Sequence, residues 1–535
     1  MSAIKYIFVS GGVISGLGKG ITAASLGLLL NSRGIKTTNL KIDMYLNVDA
    51  GTIRPAEHGE VFVTEDGLET DQDLGHYERF LNTDLHRENY MTTGQVYKSV
   101  IDRERAFGYG GEDVEAIPHV TDEIIGRIQK AGTANKAQVV IVELGGTVGE
   151  YQNGLFFEAN RIMKLREPKN VLHVHVSYLP VIKSIGELKS KPTQQSVHIL
   201  NSMGIQPDFL IARSEKEIDL KRRERLALFC NTHNENIITN PDLDDIYQVP
   251  LFLEQQNFSL KVIKVLGLRS TKNTLSEWKK FVEKTQKAKK EVKIAMVGKY
   301  FSTGNYVLKD SYICVIEAVK HAAASLGIKP VMTWINSDEP FKLDGFDGVI
   351  VPQGWGSRGV EGKIKAVQFA REHKVPYLGL CFGMQMAIIE YARNMAKLTG
   401  ANSAEVDPKT KFPVIHVMEG QKEFLAKKQF GGTIRLGAWP CAIKSGTILA
   451  KAYGKTQVSE RHRHRYEFNN DYKQILERKS LVISGTSPDG HLVEAVELPK
   501  DVHPFFVGTQ FHPEYKSRPL SPHPIFIGFL KACLK

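Results

Sequence analysis

The chain has 535 residues, too many for one hydrophobic core, so at least two domains are expected. Hydrophobic residues make up 42% and charged residues 24%, an ordinary globular balance, and no run of about 18 apolar residues marks a membrane span. The net charge of +11 raises nucleic acid as a partner, but no aromatic-interleaved basic patch or nucleic-acid motif accompanies it, so neither nucleic acid nor membrane is expected.

The first strand is residues 4–10, IKYIFVS, leading into SGGVISGLGKGIT at 10–22 and a helical run over 21–33. A glycine-rich turn between strand and helix lets backbone N–H groups approach a phosphate, and Lys19 would reach a β- or γ-phosphate. The loop is divergent: Val13 stands where the usual phosphate loop has Gly, and Gly20 stands where it has Ser or Thr. A plain glycine-rich turn is the alternative. A second strand follows in GIKTTNLKID. The segment 60–73 packs Glu60, Glu65, Asp66, Glu69, Asp71 and Asp73 into fourteen residues. Charge runs are usually solvated, but here acids alternate with apolar residues and glycine, so one or two can turn inward to hold Mg²⁺. AQVVIVELGG is a buried strand ending near Glu143, at the carboxyl end where such sheets bind ligands. NVLHVHVSYLP is another. GELKSKPTQQSV then sets Lys189 and Lys191 two apart, on one side of an extended segment, suited to a second anion; an exposed loop is the plainer reading.

Residues 270–291 read as a polar linker with one helix, LSEWKKFVEKTQKAKK. Residues 261–293 carry eleven Lys or Arg against three Glu, read as a solvated basic face. The pattern restarts with strand 292–300, helix 311–327, strand 329–335 and FDGVIVPQGWGSRG. VPYLGLCFGMQMAIIEYARNMA is strand, sharp turn and helix, so the expected domains are 1–269 and 292–535. Strands alternating with helices in both halves predict an α/β protein with two doubly wound parallel-sheet domains. GLCFG, residues 379–383, is a G-x-C-x-G elbow, which exposes Cys381 as a nucleophile at a helix N-terminus. His512 and Glu514, directly after an apolar strand, supply a base and the group that orients it. Oxyanion donors are expected after Cys381 and at Gly354. Five cysteines without pairing or metal spacing suit a reducing cytoplasm. The N-terminus lacks a secretory signal's longer apolar core.

Together these residues resemble the CTP synthase family. SGGVISGLGKGITAASL, NVDAGT, HGEVFVTEDG, DLGHYERF, ELGGTVG, KPTQQSV, RHRHRYE and FHPE all match its motifs and run across nearly the whole chain. The resemblance implies a P-loop, dethiobiotin-synthetase-like N-terminal domain and a flavodoxin-like class I glutaminase. It implies phosphorylation of UTP by ATP, then displacement of phosphate by ammonia released from glutamine. It assigns Ser15, Gly16, Leu17, Gly18, Lys19, Gly20, Lys41, Asp71 and Arg213 to ATP, and Asp71 and Glu143 to Mg²⁺. It assigns Ser15, Glu150, Gln152, Lys189, Lys191, Gln194 and Arg225 to UTP or CTP. Glutamine falls to Gly354, Leu380, Gln385, Glu405 and Arg465, with Cys381, His512 and Glu514 as the triad. GTP activation, CTP inhibition, homotetramers and filaments are further implications.

The chain departs from the family pattern at several points: Gln353 for Gly, Gln152 for an acid, Arg225 for Lys, Met44 for Pro and Ile313 for Lys. These bear on regulation more than on chemistry. The competing enzyme reading is a cobyrinate-type or cobyric acid amidoligase, which lacks the HGEVFVTEDG and KPTQ segments. A third reading is a filament-forming protein with a weakened glutaminase.

Overall fold

A computed structural model describes residues 3–182, 184, 186–271, 273–299, 302–303, 306–307, 309–427 and 431–535; Tyr300, at the end of an expected strand, lies outside them. Packing divides the chain into two compact units. One comprises the residues up to Asp49 together with His76–Val282, and the other comprises Ala50–Gly75 with Glu283–Lys535.

The first unit is built on a seven-stranded sheet in the order Ile237–Pro241, Phe209–Ser214, Val171–Tyr178, Lys5–Gly12, Val139–Leu144, Thr37–Asp43, Tyr90–Thr92. Every pairing is parallel. Strands covered on both faces read as continuous apolar runs, and VVIVEL is buried at all six positions. Tyr6, Phe8, Leu40, Ile42, Val140 and Val142 share one core with Ile124, Ile128, Phe156 and Phe157. The helix Ser276–Lys287 is the one expected within the segment read as a linker. Lys279, Lys280, Lys284 and Lys287 are exposed on one face, while Trp278, Phe281 and Val282 are buried on the other. Trp278 donates to the Tyr247 carbonyl at 2.9 Å and packs 5.1 Å from the Phe80 ring, so this half of the helix is core of the first unit.

The second unit has a nine-stranded sheet in the order Lys329–Asn336, Glu291–Gly298, Gly348–Val351, Tyr377–Leu380, Phe506–Thr509, Val493–Glu497, Val482–Thr486, Arg435–Ile443, Gln457–His464. The first five strands are parallel, as expected. The remaining four add antiparallel pairs, a half the sequence reading did not separate out. Side chains alternate across the pleat: Val292, Ile294 and Met296 enter one core, Ala295 and Val297 the other.

Ala50–Gly75 is inserted in the first half of the sequence yet packs with the second unit. Its small hairpin pairs Phe62–Val63 with Glu69–Thr70. Its acids explain the placement. Glu65 meets Arg461 at 2.8 Å and Lys516 at 3.0 Å, and Glu69 meets Arg463 at 2.8 Å. Arg461 also donates to the Val63 carbonyl, and the Tyr515 hydroxyl donates to that of Val61, each at 3.0 Å. Of the six acids grouped by sequence, Glu65 and Glu69 therefore neutralise buried guanidiniums.

Candidate active site

Cys381 joins the strand Tyr377–Leu380 to the helix Phe382–Asn394 with φ 51° and ψ −100°, a conformation that L side chains rarely adopt. The flanking glycines are required by close approach. A Cβ on Gly383 would lie 2.0 Å from the Val351 carbonyl oxygen, and one on Gly379 would lie 2.6 Å from the Tyr377 hydroxyl. The Cys381 amide donates to the Thr509 carbonyl at 2.6 Å, which anchors the turn to the neighbouring strand. The thiol is buried, and the Gln510 side-chain amide lies 3.5 Å from Sγ.

His512 is reached by continuing from the strand Phe506–Thr509 that pairs with the elbow strand. Its Nδ1 lies 2.7 Å from Glu514 Oε1, both side chains are buried, and the ring stacks on Tyr515 at 4.9 Å. Burial alone would lower the imidazole pKa; the Glu514 carboxylate, then Cys381, outweigh it and raise it to about 10. At neutral pH the His512 ring therefore rests protonated. The expected Cys, His and Glu are brought together within one unit.

The loop 352–358 beside the elbow is held by buried charged and polar side chains. Lys363 Nζ donates to the Pro352 carbonyl at 3.2 Å. Lys299 Nζ donates to the carbonyls of Trp355, Gly356 and Arg358, the last two at 3.3 Å. Glu405 accepts from the Gly356 N–H at 2.6 Å, and Gln353 Nε2 donates to Glu60 Oε1 at 2.5 Å. Burial drives the Lys363 pKa well down, helped by Lys299 and opposed by Cys381; burial also brings Lys299 to about 8, with Glu405 opposing. Gly354 is buried at the centre: a Cβ there would meet Lys363 Nζ at 3.1 Å and Lys299 Cε at 3.2 Å. Of the other expected glutamine-site residues, Leu380 is buried at the end of its strand. Gln385 sits one helical turn beyond Cys381 and donates to the Tyr466 carbonyl at 3.1 Å, while its own Oε1 is buried without a partner among the described residues. Arg465 donates to Gln421 and Thr433 at 2.8 and 2.9 Å. Sequence reasoning missed Lys299, Lys363 and Gln510, and named Glu60 only among the acids of 60–73. Lys299 and Gln510 directly follow apolar strands, which was their only signal.

In the first unit, Gly16 and Gly18 take φ values of 72° and 83°, which favour glycine, and Lys19 opens the helix Lys19–Ser32. Ser15 and Gly16 are exposed, Leu17 and Gly20 buried. Lys19 Nζ donates to the Gly146 carbonyl at 2.7 Å. A Cβ on Gly11 would lie 2.7 Å from Lys19 Cδ, so that glycine leaves room for the lysine. Lys41 stands opposite Glu143 in the paired strands Thr37–Asp43 and Val139–Leu144. Its Nζ is 3.1 Å from Glu143 and 3.7 Å from Asp43, and the Tyr77 hydroxyl also donates to Glu143. Glu150 accepts from the Thr147 amide and hydroxyl, each at 2.6 Å; Gln152 and Arg225 are exposed. Arg213 donates to the carbonyls of Asn240 and Pro241 and to Asp242, each at 2.7 Å.

Lys189 pairs with Glu187 at 2.6 Å and Gln194 donates to Ser190 at 3.1 Å. The segment is not extended throughout, as the sequence reading had it. Lys191 is the first residue of the helix Lys191–Ser202, because Pro192 is pre-organised for a helical first turn. Asp71 belongs to the other unit, where its Oδ1 accepts from the Asp73 N–H at 3.2 Å and His58 lies 3.4 Å away. Among the described residues, no group of three His, Cys, Asp or Glu side chains forms a metal cage. Mg²⁺ does not require one, since it uses one or two carboxylates with water and substrate phosphate.

The family model described as "CTP synthase N-terminus" matches residues 5–268, and "Glutamine amidotransferase class-I" matches residues 307–532. The protein named CTP synthase from Caldanaerobacter subterraneus subsp. tengcongensis is 51% identical over 537 residues, covering 99% of this chain and 98% of the relative. Those from Carboxydothermus hydrogenoformans and Sulfolobus acidocaldarius are 52% and 50% identical, with 99% and 98% of this chain and 99% of each relative covered. With identity of about half over nearly the whole of this chain and of each relative, the chain belongs to the CTP synthase family.

Proposed function

We infer that this chain converts UTP to CTP with ATP and glutamine. The observation that carries the reading is the Cys381 elbow with a buried His512–Glu514 pair at 2.7 Å, in a chain that also presents Lys19 from a phosphate-type loop. In the glutaminase reaction the Cys381 sulfur attacks the substrate carboxamide carbon as the thiolate, beside protonated His512. His512 gives its proton to the departing ammonia, leaving a thioester and a neutral imidazole. Water, deprotonated by His512, then attacks that thioester; glutamate leaves, and the thiolate and protonated His512 are restored. N–H groups after Cys381 and at Gly354 receive the developing oxyanion. Gln385, Glu405 and Arg465 hold the glutamine.

In the synthetase reaction the γ-phosphoryl group of ATP passes to O4 of UTP, and ammonia attacks C4 and expels phosphate. The ring carbonyl oxygen leaves poorly until it is phosphorylated, so the order of events follows from the chemistry. Lys19, Lys41 and Arg213 serve ATP, with the backbone of residues 15–20. Lys189, Lys191, Gln194, Arg225, Glu150 and Gln152 serve UTP. In the first unit Glu143 would hold Mg²⁺ entering with ATP, which would neutralise phosphate charge. The present Lys41–Glu143 pair supports this: a buried carboxylate and ammonium at the carboxyl ends of adjacent strands suit a cation and an anion arriving together.

GTP as activator, CTP as inhibitor, a homotetramer and a cytoplasmic location belong to the same reading and rest on the family. The test follows UTP to CTP conversion with ATP and Mg²⁺, supplied with glutamine, glutamine plus GTP, or ammonium. CTP is expected from each, most with GTP among the glutamine reactions. No CTP from either nitrogen source would overturn the reading.

A further inference from the structure

Position 353 is where this chain carries a side chain in the loop that presents Gly354. That side chain is not idle. Its Nε2 donates to Glu60 Oε1 at 2.5 Å, while its own Oε1 is buried without a partner among the described residues. Burial raises the Glu60 pKa to about 7; in the ionised form Glu60 can only accept, which sets the carboxamide nitrogen against it. Glu60 is 4% exposed and is tied elsewhere. Its Oε2 accepts from the Cys314 N–H at 2.7 Å, in the first turn of the helix Ile313–Leu326, and its own N–H donates to the Asp310 carbonyl at 3.0 Å. One carboxylate thus links a 14-residue helix to the loop carrying Gly354. The preceding carbonyl, Pro352, is held by Lys363, and the Gly356 N–H by Glu405. Gln353 completes the set of restraints on the short stretch that must place an oxyanion donor.

We propose that Gln353 and Glu60 form a hydrogen-bonded latch that holds the 352–356 loop in register with Cys381, making Gln353 a positioning residue for glutamine hydrolysis. The proposal rests on the triad reading above and adds to it a side chain that the family's usual glycine cannot supply. Its role is indirect: a tethered loop places the Gly354 amide, and misplacement of a donor costs rate in the transition state rather than ground-state affinity.

The test uses the full-length enzyme and measures kcat and KM for glutamine hydrolysis, with ammonium-supported CTP formation as the internal control. Deleting an oxyanion donor costs about 10²–10³ in kcat; loosening its support in Gln353→Ala is expected to cost about tenfold, with KM within about twofold. Ammonium-supported synthesis should stay at the parent rate. Gln353→Glu, nearly isosteric, sets two carboxylates together when assayed above the Glu60 pKa of about 7, and there should lose at least as much. The double variant Glu60→Gln, Gln353→Glu reverses donor and acceptor while leaving an oxygen for the Cys314 N–H, and should return kcat to within about threefold of the parent if the bond itself matters. Unchanged kcat in Gln353→Ala, or a double variant no better than Gln353→Glu, would overturn the latch. A parent enzyme that makes no CTP even from ammonium would count against the overall function instead, while its glutamine hydrolysis would still decide the latch.

Discussion

Lys19 and Lys41 in the first unit, and Cys381 and His512 in the second, are both buried polar pairs at the ends of parallel strands, but they are satisfied differently. In the first unit the cations rest on one another's neighbours: Lys19 on the Gly146 carbonyl, Lys41 on Glu143, Lys189 on Glu187 and Arg213 on Asp242. In the second unit Glu514 already orients His512 and Gln510 lies beside the thiol, while His512 Nε2 is buried without a hydrogen-bond partner among the described residues, and the 352–358 loop is restrained by Lys299, Lys363, Glu405 and Glu60. On the proposed assignment the difference follows from the ligands. A polyanion brings enough charge to displace a carboxylate or a carbonyl from a lysine, so the pairs can be provisional. The reacting carboxamide of glutamine is neutral, so the groups around it must be set beforehand.

The contrast is sharpest in Cys381→Ala. Losing the nucleophile should reduce glutamine-supported CTP formation by about 10⁴-fold or more, while ammonium-supported formation persists. Equal loss with both nitrogen sources would break the division of labour. Lys19→Ala is the converse: synthesis from either source should fall by roughly 10³-fold, the order expected for removing an electrostatic clamp on a transferring phosphoryl group, with glutamine hydrolysis in the absence of nucleotides unchanged. Surviving synthesis would show that the glycine loop is only a turn.

Trp278→Ala asks a structural question. Its indole fills the core of the first unit, so its removal should cost that unit about 3–5 kcal/mol, read in urea unfolding as an earlier first transition, with the glutaminase transition in place. A single unshifted transition would return this helix to the status of a linker. The last effect is in pH. His512 has a pKa of about 10 in the fold and about 6.5 when unfolded. A raised histidine pKa gives stability that is fully present below about pH 6.5 and is lost as pH rises through about 10. The stability gap between the parent and His512→Asn should therefore shrink over that window; a gap constant with pH would mean that the imidazole is neutral in the resting site.

Much of this was legible in the chain. The elbow could be read because the chemistry dictates it: only glycine tolerates the approaches at 379 and 383, and the nucleophile must lie between them. The parallel strands were legible where both faces are covered and the apolar runs are continuous. The antiparallel half, 435–497, was not, because Arg435, Arg461 and Arg463 are buried within it as paired charges, and His462 and His464 are buried there with their pKa held well down by burial, all breaking the alternation that marks a strand. The same pairing hid the role of the acidic segment. Six acids in fourteen residues look like a metal site until their partners are known, and those partners lie about 400 positions away in sequence. Lys363 and Lys299 were invisible for a related reason: a lysine in an apolar helix or after a strand gives no sign that its ammonium will be buried against backbone carbonyls.

The packing of Ala50–Gly75 with the second unit has a consequence for how this enzyme can be taken apart. The chain enters that unit at Ala50, leaves it at Gly75 and enters it again at Glu283, so the two compact bodies share three covalent joins. A fragment cut at the obvious Lys-rich segment would carry the elbow and the base, but not the Glu65 and Glu69 carboxylates that neutralise Arg461 and Arg463, nor the Glu60 that holds Gln353. The glutaminase is thus a module in fold but not in sequence, and any transplant or circular permutation of it must bring those 26 residues along.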